Sequence, residues 1–106
     1  MAIELKTITK EDYFYSISGI IHGNDVVLYY QKTYDRREAT EERIIENGKS
    51  ISVGENQPFT IRTRDQGVLN IFLLAEDSLS HCRSDIVHIP VDTLSERKID
   101  ILPCIL

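Results

Sequence analysis

Tryptophan is absent from this chain, methionine occurs once, and 106 residues include only two cysteines, three prolines and five glycines. Each scarcity excludes something. Without tryptophan there is no Cys–Trp–Cys signature of true immunoglobulin domains. Cys82 and Cys104 are too few for a disulfide framework and are expected as reduced, largely buried thiols. The glycines do not cluster, so no loop of the phosphate-cradling kind is present, and neither G-x-S-x-G nor H-E-x-x-H occurs. The longest apolar runs, such as Ile71 to Ala75, fall far short of the roughly 20 residues of a membrane span.

The start, Met1-Ala2-Ile3-Glu4-Leu5-Lys6, has no basic opening followed by an apolar stretch, as a secretory signal would. Pro103-Cys104-Ile105-Leu106 puts its cysteine third from the end, where a prenylation box needs it fourth. None of Asn24, Asn47, Asn56 and Asn70 lies in an Asn-x-Ser/Thr sequon. The expectation is a cytoplasmic protein with no membrane partner; a mature secreted chain would read the same way.

Positive charge is also scarce. Twelve Lys and Arg against seventeen Asp and Glu leave a formal charge of −5, which makes non-specific nucleic-acid binding a poor prospect. Hydrophobic residues at 42% and charged residues at 27% are ordinary globular proportions, so wholesale disorder is excluded. The length suits a single domain, residues 1–106, burying about two thirds of its unfolded surface without metal or disulfide staples.

What the chain has in plenty is β-type alternation, broken by turn signals every eight to twelve residues. Strands are expected at Ile3 to Ile8, Tyr13 to Ile21, Val26 to Tyr34, Pro58 to Arg64, Val68 to Ala75 and Ile86 to Val91, with Ile99 to Leu106 as a last strand or apolar tail. Val68 to Ala75 is apolar on both parities except at Asn70, which suits a central strand covered on both faces. Pro90 suits an edge strand or strand terminus. Between Glu42 and Val53, Asn47-Gly48 is a strong hairpin signal, matching Glu46 with Lys49 and Ile44 with Ile51; a hairpin is expected there in preference to a helix ending at Gly48. The fold class is all-β: an antiparallel β-sandwich, immunoglobulin-like or similar, of about seven or eight short strands.

In such a sandwich alternate loops share an end. One end would gather Asp25, Glu55, Glu76 and Asp77, with Asp85 nearby, which are weak candidates for calcium because no spaced ligand loop accompanies them. His22, His81, Cys82 and His88 lack the close spacing of a zinc site, and the adjacent His81 and Cys82 make a poor nucleophile pair. No cofactor and no catalytic activity are expected. Arg43, Arg62 and Arg64, extended by Arg36 and Arg37, would form a basic stripe if their strands pair, offset by Glu41, Glu42 and Glu46.

The most informative anomaly is apolar excess on the wrong parity. Phe14, Val27, Tyr29, Phe72 and Leu74 fall on the faces their strands would turn to water, and contiguous patches of that kind mark protein interfaces. The competing explanation is that Asp35 to Glu42, or the tail, folds over that face. The expected function is therefore a non-catalytic protein-binding module, its partner a second copy of itself, using that face. The alternative is a calcium- or small-ligand-binding module using the acidic loops.

Overall fold

The structure, a computed structural model, describes residues 2–11, 13–34, 39–64, 70–90 and 101–103. Its elements in chain order are β1 (Ala2–Glu11), β2 (Phe14–His22), β3 (Val26–Thr33), α1 (Glu41–Asn47), β4 (Lys49–Val53), β5 (Pro58–Arg64), β6 (Asn70–Asp77), β7 (Val87–Pro90) and β8 (Ile101–Pro103). They form two antiparallel sheets, ordered β5-β2-β1-β8 and β4-β3-β6-β7. Cys104, Arg36, Arg37 and the connections expected at Asp65 to Gly67 and Asp92 to Lys98 lie outside the described residues.

The alternation read from the sequence decides which side chains meet. Tyr15, Ile17 and Ile21 from β2, Phe59 and Ile61 from β5, Val26 and Leu28 from β3, and Ile71, Leu73 and Ala75 from β6 join one core drawn from both sheets. Strand β1 departs from strict alternation. Ile3, Leu5 and Ile8 are all buried because a bulge shifts the register between Leu5 and Thr7, so the inward parity changes from odd to even. Gly19 pairs with Leu5 at that irregularity. A Cβ there would lie 2.2 Å from the Glu4 carbonyl oxygen and 3.1 Å from the Phe59 ring, so only glycine lets the strands approach.

The hairpin expected at Asn47-Gly48 is replaced by α1. Thr40 caps the helix: its Oγ1 accepts a hydrogen bond from the Arg43 backbone N–H at 3.3 Å, and its carbonyl accepts from Ile44 at 3.0 Å. Glu41 and Glu42 occupy the first turn, where acidic side chains suit the helix dipole. Gly48 ends the helix with its N–H donated to the Ile44 carbonyl at 2.9 Å, in an extended conformation (φ −80°) rather than the left-handed one a type I′ turn requires. Its glycine is needed for proximity, since a Cβ would lie 2.6 Å from the Tyr30 carbonyl oxygen. Ile44, expected opposite Ile51, instead packs against Phe72 and Leu74, while Ile51 pairs with Leu28 in the β3–β4 ladder.

Two cores result. The larger draws its side chains from both sheets. The smaller lies on the outer side of the β4-β3-β6-β7 sheet, where Ile44, Phe72 and Leu74 are buried completely and Tyr29, Ala39, Ile45 and Ile86 pack around them. Strand β6 is buried on both faces from Asn70 to Ala75, as its apolar residues on both parities demand.

Candidate functional site

The five residues expected to share one contact face do not share a sheet. Phe14 lies on β2, whereas Val27 and Tyr29 lie on β3 and Phe72 and Leu74 on β6. Phe72 and Leu74 are fully buried beneath α1, so the chain's own Ala39 to Asn47 segment covers them. That cover is neither the Asp35 to Glu42 segment nor the tail expected as the alternative: it comes chiefly from Ile44 and Ile45 of α1, with only Ala39 from the former. The signal for a helix was Thr40 as an N-cap followed by acidic Glu41 and Glu42 in the first turn, set against an Asn-Gly pair that favours a tight turn. His88 adds to the cover: its ring stacks on Phe72 at 4.7 Å, and its Nε2 is 2.6 Å from Asn70 Oδ1.

The acidic loops do meet at one end. The Asn56 backbone N–H donates to the Gly23 carbonyl at 3.1 Å, and Ser78 donates to the Asp25 carbonyl at 2.8 Å. Their carboxylates do not converge. Among the described residues no group of three or more His, Cys, Asp and Glu is placed to hold a metal ion, so Asp25, Glu55, Glu76 and Asp77 form no such centre. Glu76 is taken by Arg83, whose Nε donates to Oε2 at 2.7 Å; the same guanidinium reaches Glu41 at 3.3 Å and so ties β6 to the first turn of α1. Asp77 Oδ1 accepts from the backbone N–H groups of Leu79 and Ser80, both at 2.9 Å, which hold its carboxyl below the usual aspartate range. Leu79, on the turn so formed, is 81% exposed.

The three histidines are dispersed: His22 binds Glu4 at 2.8 Å, His81 lies 3.9 Å from Glu76, and His88 stacks on Phe72. Glu4, engaged by Lys6 first and His22 second, is held below the usual glutamate range. Cys82 is a free, half-buried thiol whose carbonyl accepts from the Asp77 N–H at 2.8 Å.

Basic groups collect at the opposite end. Strands β2 and β5 pair with Phe14 opposite Arg64 and Ser16 opposite Arg62. Both guanidiniums close on one ring: Arg62 lies 4.3 Å and Arg64 6.0 Å from the Phe14 centroid. Neither arginine has a carboxylate partner among the described residues, so the ring orders two cations that remain open to an anion. Arg64 also raises the potential at Lys32 on β3, which in turn feels Lys49 on β4; burial, then these two charges, hold the Lys32 ammonium below the usual lysine range. Tyr13 and Tyr34, at the β1–β2 turn and the end of β3, are 77% and 62% exposed at this same end.

The expected basic stripe is thus partly assembled. Arg62 and Arg64 are together, but Arg43 sits on α1, over the other sheet. Lys32 and Lys49 were not singled out in the sequence. Lys32 shares the parity of Leu28 and Tyr30, and that inward-facing lysine was the available signal.

Comparison with protein-family models, with curated proteins and with solved structures gives no match. Among the described residues no helix is long and apolar enough to cross a membrane.

Proposed function

We propose that the chain is a non-catalytic β-sandwich module that assembles head to tail with copies of itself. The sandwich reading rests on strand order. If the first seven strands are lettered A, B, C, C′, E, F and G, the sheets read E-B-A, with β8 added beside A, and C′-C-F-G, which resembles the partition of immunoglobulin-like modules. One core drawing on both sheets supports the same reading.

The observation that carries the assembly is the separation of charge along the strand axis. The loop end holds Asp25, Glu55 and Asp85, all exposed, around the projecting Leu79. The other end holds Arg62, Arg64, Lys32 and Lys49 around Phe14, Tyr13 and Tyr34. The loop end is thus predominantly acidic, its Arg83 being engaged by Glu76 and Glu41, and the other end predominantly basic, with Glu11 opposite Phe14; each also exposes apolar surface, and the two are complementary. Complementary charge steers encounter and fixes register, while buried apolar side chains supply most of the binding free energy. Contact between unlike ends is heterologous, so it propagates into a chain of modules rather than closing as a dimer. The outer surface of the β4-β3-β6-β7 sheet takes no part, because Phe72 and Leu74 are already covered.

Sedimentation velocity across a concentration series tests this. The expected result is growth beyond dimer at low ionic strength, weakened by salt. The double variants Arg62→Ala/Arg64→Ala and Asp25→Asn/Glu55→Gln each remove the charge of one end without creating a new complementary one, so each alone stays monomeric, and a mixture of the two stops at dimers. A wild-type chain that remains monomeric throughout the series, or a mixture that grows like wild type, defeats the reading.

A further inference from the structure

We propose that the free edge of β5 accepts an extended acidic segment of a partner protein as an added antiparallel strand, with acidic and apolar residues alternating along that segment. Strand β5 closes one side of its sheet, pairing with β2 and with no other described strand. At seven residues it is longer than the other end strands, β4 with five, β7 with four and β8 with three, and its register against β2 runs without a bulge. The unpaired backbone groups of such an edge are a template for strand addition.

The register fixes which groups are free. One step beyond the ladder, the Ile21 N–H donates to the Gln57 carbonyl at 3.4 Å, so these two residues form a hydrogen-bonded pair. Hydrogen-bonded and non-hydrogen-bonded pairs alternate along an antiparallel ladder. Phe59, Ile61 and Thr63 therefore turn their N–H and C=O groups toward β2. The N–H groups of Thr60, Arg62 and Arg64 point away from it, as do the carbonyls of these residues and of Pro58. Two observations agree. Pro58, which has no N–H, falls at an outward position, where the ladder needs none. The Ser18 and Thr60 hydroxyls meet at 3.2 Å, the close side-chain approach of a non-hydrogen-bonded pair.

The occupant follows from the side chains beside those free groups. Thr60, Arg62 and Arg64 are exposed, and neither arginine has a carboxylate partner among the described residues. Both guanidiniums lie over Phe14, at 4.3 and 6.0 Å from its centroid, and a guanidinium stacked on a ring keeps its N–H edge for a carboxylate. A second β5 would set arginine against arginine, which opposes self-pairing at this edge. An acidic strand instead places Asp or Glu opposite Arg62 and Arg64 on the outer face. Its intervening residues turn inward beside the buried Ile61 and Thr63, where apolar side chains extend the core. This proposal does not rest on head-to-tail assembly, although both use Arg62 and Arg64, so its test is made at protein concentrations where the chain sediments as a monomer.

The probe is a labelled peptide as long as β5 in which glutamate and valine alternate, titrated by fluorescence anisotropy. Saturable binding is expected, weaker by about fivefold or more for a peptide of the same composition with its glutamates grouped together, and likewise for the Arg62→Gln/Arg64→Gln variant. Methylating the glutamate amides should abolish binding, because those N–H groups face β5, whereas methylating the valine amides should preserve it. Amide exchange supplies a readout that charge attraction alone would not move. Saturating peptide should slow exchange at Thr60 and Arg62, while Phe59 and Ile61, already bonded to β2, stay unchanged. No saturable binding, equal binding of the grouped peptide, undiminished binding by the arginine variant, binding that survives methylation of the glutamate amides, or binding without slower exchange at Thr60 and Arg62 would overturn the assignment.

Discussion

The backbone of Gly48 approaches the carbonyl of Tyr30 so closely that a Cβ at position 48 would come within 2.6 Å of that oxygen and 2.3 Å of the Ile44 carbonyl oxygen. This contact seats the end of α1 on β3. Both obstructing atoms belong to backbone, so neither can swing aside. Gly48→Ala is therefore expected to destabilise the fold by about 1–3 kcal/mol, the usual range for overpacking, although φ at this position suits alanine. Urea denaturation of the variant measures it; a loss below 0.5 kcal/mol, the scatter about surface substitutions, would mean that the contact relaxes freely.

Ile44 is the residue by which α1 closes the smaller core. Ile44→Ala should cost about 2–5 kcal/mol, since the side chain is fully buried between Phe72 and Leu74. It should also wet those two side chains. Binding of a hydrophobic dye to the folded variant, and not to wild type, is the expected signature. A variant that is destabilised without dye binding would show that the helix resettles over the gap.

Ser84 stitches the long loop to β6. Its Oγ accepts from the Ala75 N–H at 2.9 Å, and its own N–H donates to the Ala75 carbonyl at 2.8 Å. Ser84→Ala leaves the buried Ala75 amide without that acceptor, at a cost of about 1–3 kcal/mol. Amide exchange read residue by residue should show the loss of protection centred on Ala75.

Stability should fall in acid, with an identifiable share from Asp77. Its carboxyl lies below the ordinary value of 3.8 because the Ser80 and Leu79 N–H groups bind the ionised form. A depressed native value means that the unfolded chain takes up protons first. The contribution is complete above the unfolded value and is lost as pH falls through the native one. Glu4, held down by Lys6 and then His22, acts in the same direction. Asp77→Asn keeps the acceptor oxygen without the charge, so its melting temperature should decline less steeply than wild type as the solution is acidified.

Much of the β framework was legible because alternation is a local signal. Phe59, Ile61 and Thr63 on β5 are buried and their neighbours exposed, as the parity of that stretch requires. The meeting of the acidic loops followed from strand order alone. The helix was not legible, because Asn47-Gly48 is the signal of a type I′ turn and the real demand on Gly48 is a close approach to a strand that is remote in sequence. Phe72 and Leu74 were misplaced for the same reason: once Glu42 to Val53 is taken as a hairpin, Ile44 and Ile45, which do cover them, are assigned elsewhere. The shift of inward parity between Leu5 and Ile8 was equally invisible, since a bulge is defined by its partner strand. The pairing of Phe14 with Arg62 and Arg64 needed the register of β2 against β5, which no single segment encodes.

Because β3 and β4 are hydrogen-bonded neighbours, the polypeptide leaves the sheet and returns to it at almost the same place, with α1 carried on the excursion. A shorter relative that closed this gap with a tight turn would keep every ladder intact and yet strip the roof from Phe72 and Leu74. Deleting the excursion and replacing those two side chains with polar ones are thus linked changes, and neither alone should yield a well-behaved protein. The excursion is also a natural place for engineering: a different cap could be grafted there without disturbing either end of the molecule.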